Sequence, residues 1–563
     1  MQSNRTPFAI FIIILVILFY TELFLKPAAP ISSPSSNTSA PAQKSSPSDA
    51  PVIQTPTAPN TNTTQPLLSN QDFTNSPITK IESKLLKLDF RSLGGRLTSY
   101  ELKKFKRKLH DKDKLNLITI NNNLAPLAVS NSGFSDETTQ YTLESASNDV
   151  ERSGKILRVV ENGSSAFRFV GTLPNGTKII KTLEVNDNTY TIGLTVALEG
   201  STTDPKVHLS WTEKVDESKS SQYNVKQVTT FNQVERELER YPLHDIAEAP
   251  ITTPDTWIGF GDNYFINILI STDPKAEASF NLEQDHLKYS ITSAEPQASF
   301  KIYAGPKDKD FLTAAGYSLE RSMNLGWFAI VGQPLLSALK ILNSFLGNYG
   351  LAIVLLTLIL KLLLLPLTQS SFKSMKGLQT IQPQVAALRE RLKDDPTQMN
   401  TQMMELYKKN GVNPLGGCIP ALLQIPIFLG MYNALQNSIY LRHAPFALWV
   451  KDLAAPEELM ILGIPVPFMI LLMGGSMFVQ MFTTPSTGDP TQRKVMLFMP
   501  VVFTISFLFL PIPSGLVLYW LVSNLISIVQ QLALHKFKRV TPLQATIMGS
   551  IAIMLGAYIL TLI

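Results

Sequence analysis

The sequence predicts a multi-pass α-helical membrane protein that displays a large all-β domain outside the bilayer. Three observations predict it. Apolar residues are concentrated at 8–25 and in nearly everything after Trp327. The polar stretch between them alternates with a period of two. The basic residues of the later loops all fall on one side once the apolar runs are threaded across a membrane.

The first element is the apolar run 8–25, flanked by Arg5 and Lys26 and interrupted only by Thr21 and Glu22. It is long for a signal-peptide core, and Pro27 and Pro30 suit a cleavage site poorly, so residues 1–26 read as a retained membrane anchor. Residues 27–80 follow as a tether. They are rich in Pro, Ser, Thr, Ala and Asn and have too little apolar surface to offset the entropy of ordering.

Residues 81–325 read as the outer domain. "KLLKLDF" before "RSLGGRL", "SAFRFVGTL" before "PNGTKIIKTLEV", "TYTIGLTVAL" and "KVHLSW" alternate between Gly-Gly and Asn-Gly turns. This pattern predicts antiparallel strands and, at this size, a β-sandwich. No nucleophile, paired acids or histidine cluster stands out in it, so a scaffold or docking role outweighs a catalytic one.

Residues 326–346 are apolar but carry Gln333, Pro334 and Lys340, the pattern of an amphipathic helix lying at the membrane surface. Spans are expected at 349–367, 416–436, 459–482, 495–511 and 514–534. An extra carboxyl-terminal span is expected within 541–563, so the count is seven with the anchor. The first of these has 19 residues and covers about 28 Å, enough to cross. The 368–413 loop carries seven basic residues, Arg493 and Lys494 mark a second loop, and Lys536, Lys538 and Arg539 a third. Alternating crossings put all three with Arg5 in the cytoplasm, and the β domain in a periplasm-like space.

Several function classes are excluded early. The net charge of +5 over 563 residues is too small to mark a nucleic-acid binder. Cys418 is the single cysteine and the six histidines lack ligand spacing, so no cofactor or metal is implied. No phosphate-binding loop, nucleophile elbow or dinucleotide fingerprint occurs, and covalent catalysis is not expected.

One feature resists a passive reading. Lys361 sits inside "LTLILKLLLLPL", where a charge costs about 2.5–3.5 kcal/mol on insertion scales. Leu367 is six residues away, about 9 Å, which is far for snorkelling. The later spans hold no acidic residue to pair with it. Lys361 is therefore expected to face water within the membrane, with Thr357 one turn earlier on the same face. Gln424, and a face of Tyr519, Ser523, Ser527 and Gln530 at helical spacing, could complete a polar groove. In the cytoplasmic loop, "SSFKSMKGLQTIQPQVAALRERLK", "DDP" and "TQMNTQMMELYKKNG" predict a helical hairpin. Its Arg389, Arg391, Met403 and Met404 fit a landing surface for an emerging chain as well as they fit a solvated positive loop.

"NPLGGCIPALLQIPIFLGMYNAL", "LRHAPFALWVKDL", "DPTQRKVMLFMPVVFT" and "PSGLVLYWLVSNLISIVQQ" resemble the YidC branch of the Oxa-type membrane insertase family, and the match covers roughly 347–534. The anchor, tether and β domain have the layout of its Gram-negative form. The resemblance implies a five-helix insertase core over 347–540, inserting and folding inner-membrane proteins, alone or with the Sec translocon, from the ribosome. It places Lys361 where an arginine is usual and makes Thr357, Gln424 and Tyr519 groove-lining. It puts Trp520 where a second tyrosine is common, and Asp394 and Asp395 at the tip of a mobile cytoplasmic hairpin. The lysine matters because a desolvated lysine can lose its proton, whereas arginine stays charged. The extra run at 545–563 is absent from the family's usual plan. A transporter whose lysine binds an anionic solute is the rival, although no internal repeat or paired broken spans support it. A passive anchor for an envelope-binding domain is the other.

Overall fold

The computed structural model describes residues 70–563 apart from 121, 123, 148–149, 201–205, 216–224, 296, 325, 327, 414–418, 485–489, 511 and 537–540. The expected anchor and most of the expected tether lie outside the described residues. The chain falls into two compact units, one containing Thr380–Asn413 and the other Leu68–Gln379 with Pro414–Ile563.

Order begins earlier than the composition implies. Helix α1, Asn70–Asn75, precedes the first strand, Ile78–Glu82. Phe73 is buried beside Leu93 and Ala125. The Arg91 guanidinium donates to the carbonyls of Phe73, Thr74 and Ser76 at 2.9, 2.7 and 3.0 Å. One aromatic anchor and one arginine therefore shorten the tether, which was expected to run to residue 80.

Among the described residues the β domain has three principal sheets of six, nine and five strands. Among the described residues all the strand pairs are antiparallel except Ile78–Glu82 with Ile156–Arg158. The expected runs fall on strands at Leu86–Arg91, Ser164–Thr172, Lys178–Asn186, Thr191–Glu199 and Val207–Lys214. Ser164–Thr172 alternates buried and partly exposed positions, as a strand with one covered face must. Phe265–Ser271 is buried at every position and lies inside the nine-stranded sheet. Gly94 and Gly95, both at positive φ, make the turn into Arg96–Lys106, where a side chain would be strained. Sheets meet through ring contacts: Phe90 stacks on Phe169 at 4.0 Å, and Phe260 lies 6.5 Å from Tyr289.

The domain core also holds charge. Asp136 is fully buried, with Lys181 Nζ at 2.6 Å, Arg96 Nη1 at 3.3 Å and the Tyr141 hydroxyl donating at 3.0 Å. Lys181 also donates to the carbonyls of Gly94, Gly95 and Leu127. Two cations share one carboxylate, and burial lowers the Lys181 ammonium to about 8.

Helix α2, Lys309–Ala315, leads from the domain toward α3, Ala329–Leu346. Then come α4, Tyr349–Leu363; α5, Leu365–Arg391; α6, Pro396–Lys409; and α7, Ile419–Gln436. The series ends with α8, Phe468–Thr483; α9, Pro490–Leu508; α10, Ser514–Lys536; and α11, Pro542–Leu562. Helix α10 is the hub, packing on α4, α8 and α11 and touching α7. Helices α3 and α7 cross closely at Gly332 and Gly430, where an added Cβ on Gly332 would lie 3.0 Å from the Gly430 carbonyl oxygen.

Two expected spans are redrawn. The 349–367 run is broken at Leu364, and α4 and α5 meet at 58°. Pro366 has no N–H to continue a straight ladder and disfavours helical backbone in the residue before it. The 459–482 run opens instead with a tight hairpin, Met460–Ile461 against Ile464–Pro465, so the helix starts at Phe468. Glu457 caps that start by accepting from the Met469 amide at 2.6 Å. By length and apolarity, three described stretches could cross a membrane, Ala329–Leu346, Ser514–Ala533 and Pro542–Leu562, and the bent α4–α5 pair makes a fourth. The helix expected to lie at the surface is thus apolar enough to cross, and it exposes Ile330, Ile341 and Phe345.

The loop after α7 joins the β domain. Arg442 donates to the carbonyls of Lys106 and Arg107 at 2.8 and 2.6 Å, and the Tyr440 hydroxyl donates to Asp308. Lys340 of α3 pairs with Asp310 at 2.7 Å.

Candidate functional site

Lys361 lies in the last turn of α4, three residues before the break. That corrects the expectation of a cation in an unbroken span. The end of a helix carries partial negative charge and carbonyls without intrahelical donors, which favours a cation there. The side chain is half-buried, and its ammonium donates to the Ser527 hydroxyl of α10 at 3.0 Å. That hydroxyl donates in turn to the Ser523 carbonyl at 3.0 Å. Among the described residues this is the only polar partner of the ammonium, and it is neutral. A hydroxyl solvates a charge partially and cannot neutralise it.

Thr357 is buried on the same face of α4, one turn earlier. Its hydroxyl is turned back to the Ile353 carbonyl at 2.7 Å, so it is satisfied within its own helix. Gln424 of α7 donates its amide to the Tyr519 hydroxyl of α10. Lys361, Ser523, Ser527, Tyr519 and Gln424 therefore line a polar seam along α10, bounded by α4 on one side and α7 on the other.

Two expected members behave differently. Gln530 continues the spacing, but its amide donates to Thr546 of α11 at 2.7 Å, so the face divides between two neighbours. Trp520 is half-buried among Phe428, Phe503 and Phe507, with ring centroids 4.7, 6.3 and 5.5 Å away. It walls the seam by packing rather than by hydrogen bonding.

A second polar strip on α10 faces α8. Asn524 donates to Ser476 at 3.0 Å, and Gln531 bonds both Thr483 and Thr484. Its signal was available: Asn524 and Gln531 are seven residues apart, two turns on one helical face.

In the hairpin unit, Asp395 caps α6 by accepting from the Gln398 amide at 3.0 Å, with Pro396 in the first turn. Asp394 beside it is exposed. Arg391 donates to Gln402 at 2.6 Å and ties the two helices near the tip. Arg389 is exposed, Met403 is half-buried and Met404 is 52% exposed, a large apolar side chain left at the surface. Among the described residues no cluster of His, Cys, Asp or Glu could hold a metal ion.

Comparison with known proteins bears on this arrangement. The family profile of the 60Kd inner membrane protein matches residues 341–541, and that of the YidC periplasmic domain matches residues 78–338. The membrane protein insertase YidC of Citrifermentans bemidjiense is 35% identical over 480 residues, covering 81% of this chain and 85% of its own. That of Syntrophus aciditrophicus is 34% identical over 548 residues, covering 92% and 97%. A solved structure of an active YidC insertase with its first transmembrane domain resolved aligns over 83% of this chain and 95% of its own, at 20% identity and a TM-score of 0.36.

Proposed function

This chain belongs to the YidC family of membrane protein insertases, as an integral membrane protein with a periplasmic domain, and from that premise we propose how its polar seam does the work. The seam is the groove that receives a nascent membrane protein. Lys361 draws in an acidic or polar tail and shortens the low-dielectric path that tail must cross. Gln424, Tyr519, Ser523 and Thr357 supply polar surface along the way, with Trp520 as an apolar wall. Transfer of the substrate's own apolar helix into lipid then drives release. The membrane potential, worth about 2.3 kcal/mol per charge per 100 mV, aids tails that carry negative charge outward.

The observation that carries this reading is the state of Lys361. Its ammonium has a single neutral hydroxyl partner among the described residues, so it keeps an unneutralised charge for an incoming anion. The chain would sit in the bacterial inner membrane with its N-terminus in the cytoplasm, where Arg5 and the basic loops belong. The hairpin, through Arg389, Arg391, Asp394, Asp395, Met403 and Met404, would meet the emerging chain or the ribosome, and the Sec translocon would be an optional partner. It would act as a chaperone-like catalyst of insertion and carry out no covalent chemistry.

Crosslinking from positions 357, 361, 424 and 519 to a ribosome-stalled nascent chain tests the path. Adducts from these positions and none from lipid-facing Leu555 are the expected result. Replacement of the lysine tests the charge. Lys361→Arg should insert normally, Lys361→Ala poorly and Lys361→Glu worst; full insertion by Lys361→Ala removes the charge from the mechanism.

A further inference from the structure

A second cation lies outside the groove. Lys307 is 6% exposed and borders a cavity of about 210 Å³ at the junction of the β domain with the outer end of α7. Around it stand six carboxamides: Gln227 and Asn263 from the domain, Asn324 from the approach to α3, and Asn433, Gln436 and Asn437 from the end of α7. Among the described residues no carboxylate lines the cavity. Asp262 acts on Lys307 only at longer range, and burial lowers the ammonium to about 8.

A buried cation is costly unless a counter-charge or polar groups meet it. The Arg442 contacts with the Lys106 and Arg107 carbonyls and the Tyr440–Asp308 contact join the loop after α7 to the β domain beside the cavity. The Gly332–Gly430 crossing fixes α3 against α7 and sets the spacing of its floor.

We propose that this cavity binds a phosphate oxyanion, the headgroup phosphodiester of an anionic phospholipid at the outer membrane surface. The ammonium meets the charge, and the carboxamides around it are the polar neighbours an oxyanion takes, with one Asn437 N–H already given to the Asn433 carbonyl at 2.9 Å. Placement favours a lipid over a soluble ion. The cavity is at the outer end of a membrane helix, and the adjacent turn of α3 exposes Ile330 at 84%, apolar surface against which an acyl chain can lie. A lipid held there would tie the periplasmic domain to the bilayer beside the groove. Free phosphate shares the chemistry and is distinguished by the test.

Native mass spectrometry of the full chain in neutral detergent measures it, with dioleoyl-phosphatidylglycerol, dioleoyl-phosphatidylcholine of the same chain length, and inorganic phosphate as probes. The expected result is one saturable phosphatidylglycerol per chain in excess of phosphatidylcholine. Lys307→Gln should weaken it by about tenfold or more, and Lys307→Arg should retain it. Asn437→Asp, nearly isosteric, places a negative charge in the cavity and should weaken it as strongly, so the outcome does not hang on one variant; melting curves establish that each is folded. Tight phosphate binding that blocks the lipid assigns the site to the free ion. Equal lipid retention by the wild type, Lys307→Gln and Asn437→Asp overturns the proposal. So does binding of an acidic peptide, lost in Lys307→Gln, when neither phosphate probe binds.

Discussion

Glu213 lies on the Val207–Lys214 strand and is 7% exposed. It accepts from the Asn267 amide and, at 3.3 Å, from the Tyr289 hydroxyl. Burial penalises the carboxylate more than those donors stabilise it, and its carboxyl is pushed up from 4.5 to about 7. Below about pH 4.5 the folded and unfolded chains both hold the proton, and stability is at its full value. Between 4.5 and 7 the unfolded chain releases a proton that the folded chain keeps, so stability falls as pH rises. Above 7 the loss is complete. At about 1.4 kcal/mol per unit, the whole fall amounts to about 3 kcal/mol. The assay is urea unfolding of the full chain in detergent, followed by near-ultraviolet circular dichroism of the buried Trp211 and Trp257, at half-unit steps from pH 4.5 to 8. Glu213→Gln removes the titrating group and keeps its shape. The difference between the two proteins should widen with pH by that amount and then level off. A difference that stays flat across the window, or that grows above pH 7 only, refutes the placement of an unpaired carboxyl in this core.

Asp136→Asn leaves Lys181 and Arg96 buried without a counter-charge and should cost about 3–5 kcal/mol in the same unfolding assay. Lys181→Met, which removes the surplus cation, should cost less, and adding it to Asp136→Asn should recover part of the loss. Gly430→Ala places a Cβ 2.9 Å from the Val331 side chain and should cost about 1–3 kcal/mol in thermal melts, whereas Gly475→Ala meets nothing within 4 Å and should be neutral or slightly stabilising. Phe73→Ala empties a fully buried site and, at about 3–5 kcal/mol, exceeds what a six-residue helix can gain from its other contacts; protease should then cut near residue 75 in the folded protein.

The β domain was legible because its code is local. Alternation and Gly-Gly or Asn-Gly turns act over a few residues, and the strands fall where those runs place them. The Arg96–Asp136–Lys181 core was illegible for the opposite reason. Arg96 and Lys181 stand on strands and Asp136 in a loop, far apart in sequence, and each alone reads as a solvated charge. Phe73 was lost in the same way, since a single aromatic in a polar tract gives no period, and its partner Arg91 lies 18 residues later. Lys307 follows a strand and looks like a turn lysine until α7 closes over it. In each case the information lies in which segments meet, and composition does not hold that.

Lys361 is the instructive intermediate case. Its neighbours in the sequence showed that it had no acid to pair with, and Ser527 was already on the expected polar face of α10. The error was in the geometry of its own helix. A straight span placed the lysine about 9 Å from the cytoplasmic end, which argued for a water-filled cavity around it. The break at Leu364 puts it in the last turn instead, where the helix itself supplies partial negative charge. A cation at a helix terminus needs less water to remain charged than one at mid-span. Lysine in place of the arginine that the family resemblance implies is then less severe, because the helix end favours a cation there. Straightening the bend should make lysine the poorer residue. Pro366→Ala with Lys361 should insert less well than Pro366→Ala with Lys361→Arg, while the two side chains should be equivalent on the native bend. An equal loss for both side chains in the Pro366→Ala background would separate the bend from the charge and return the lysine to a purely hydrated cavity.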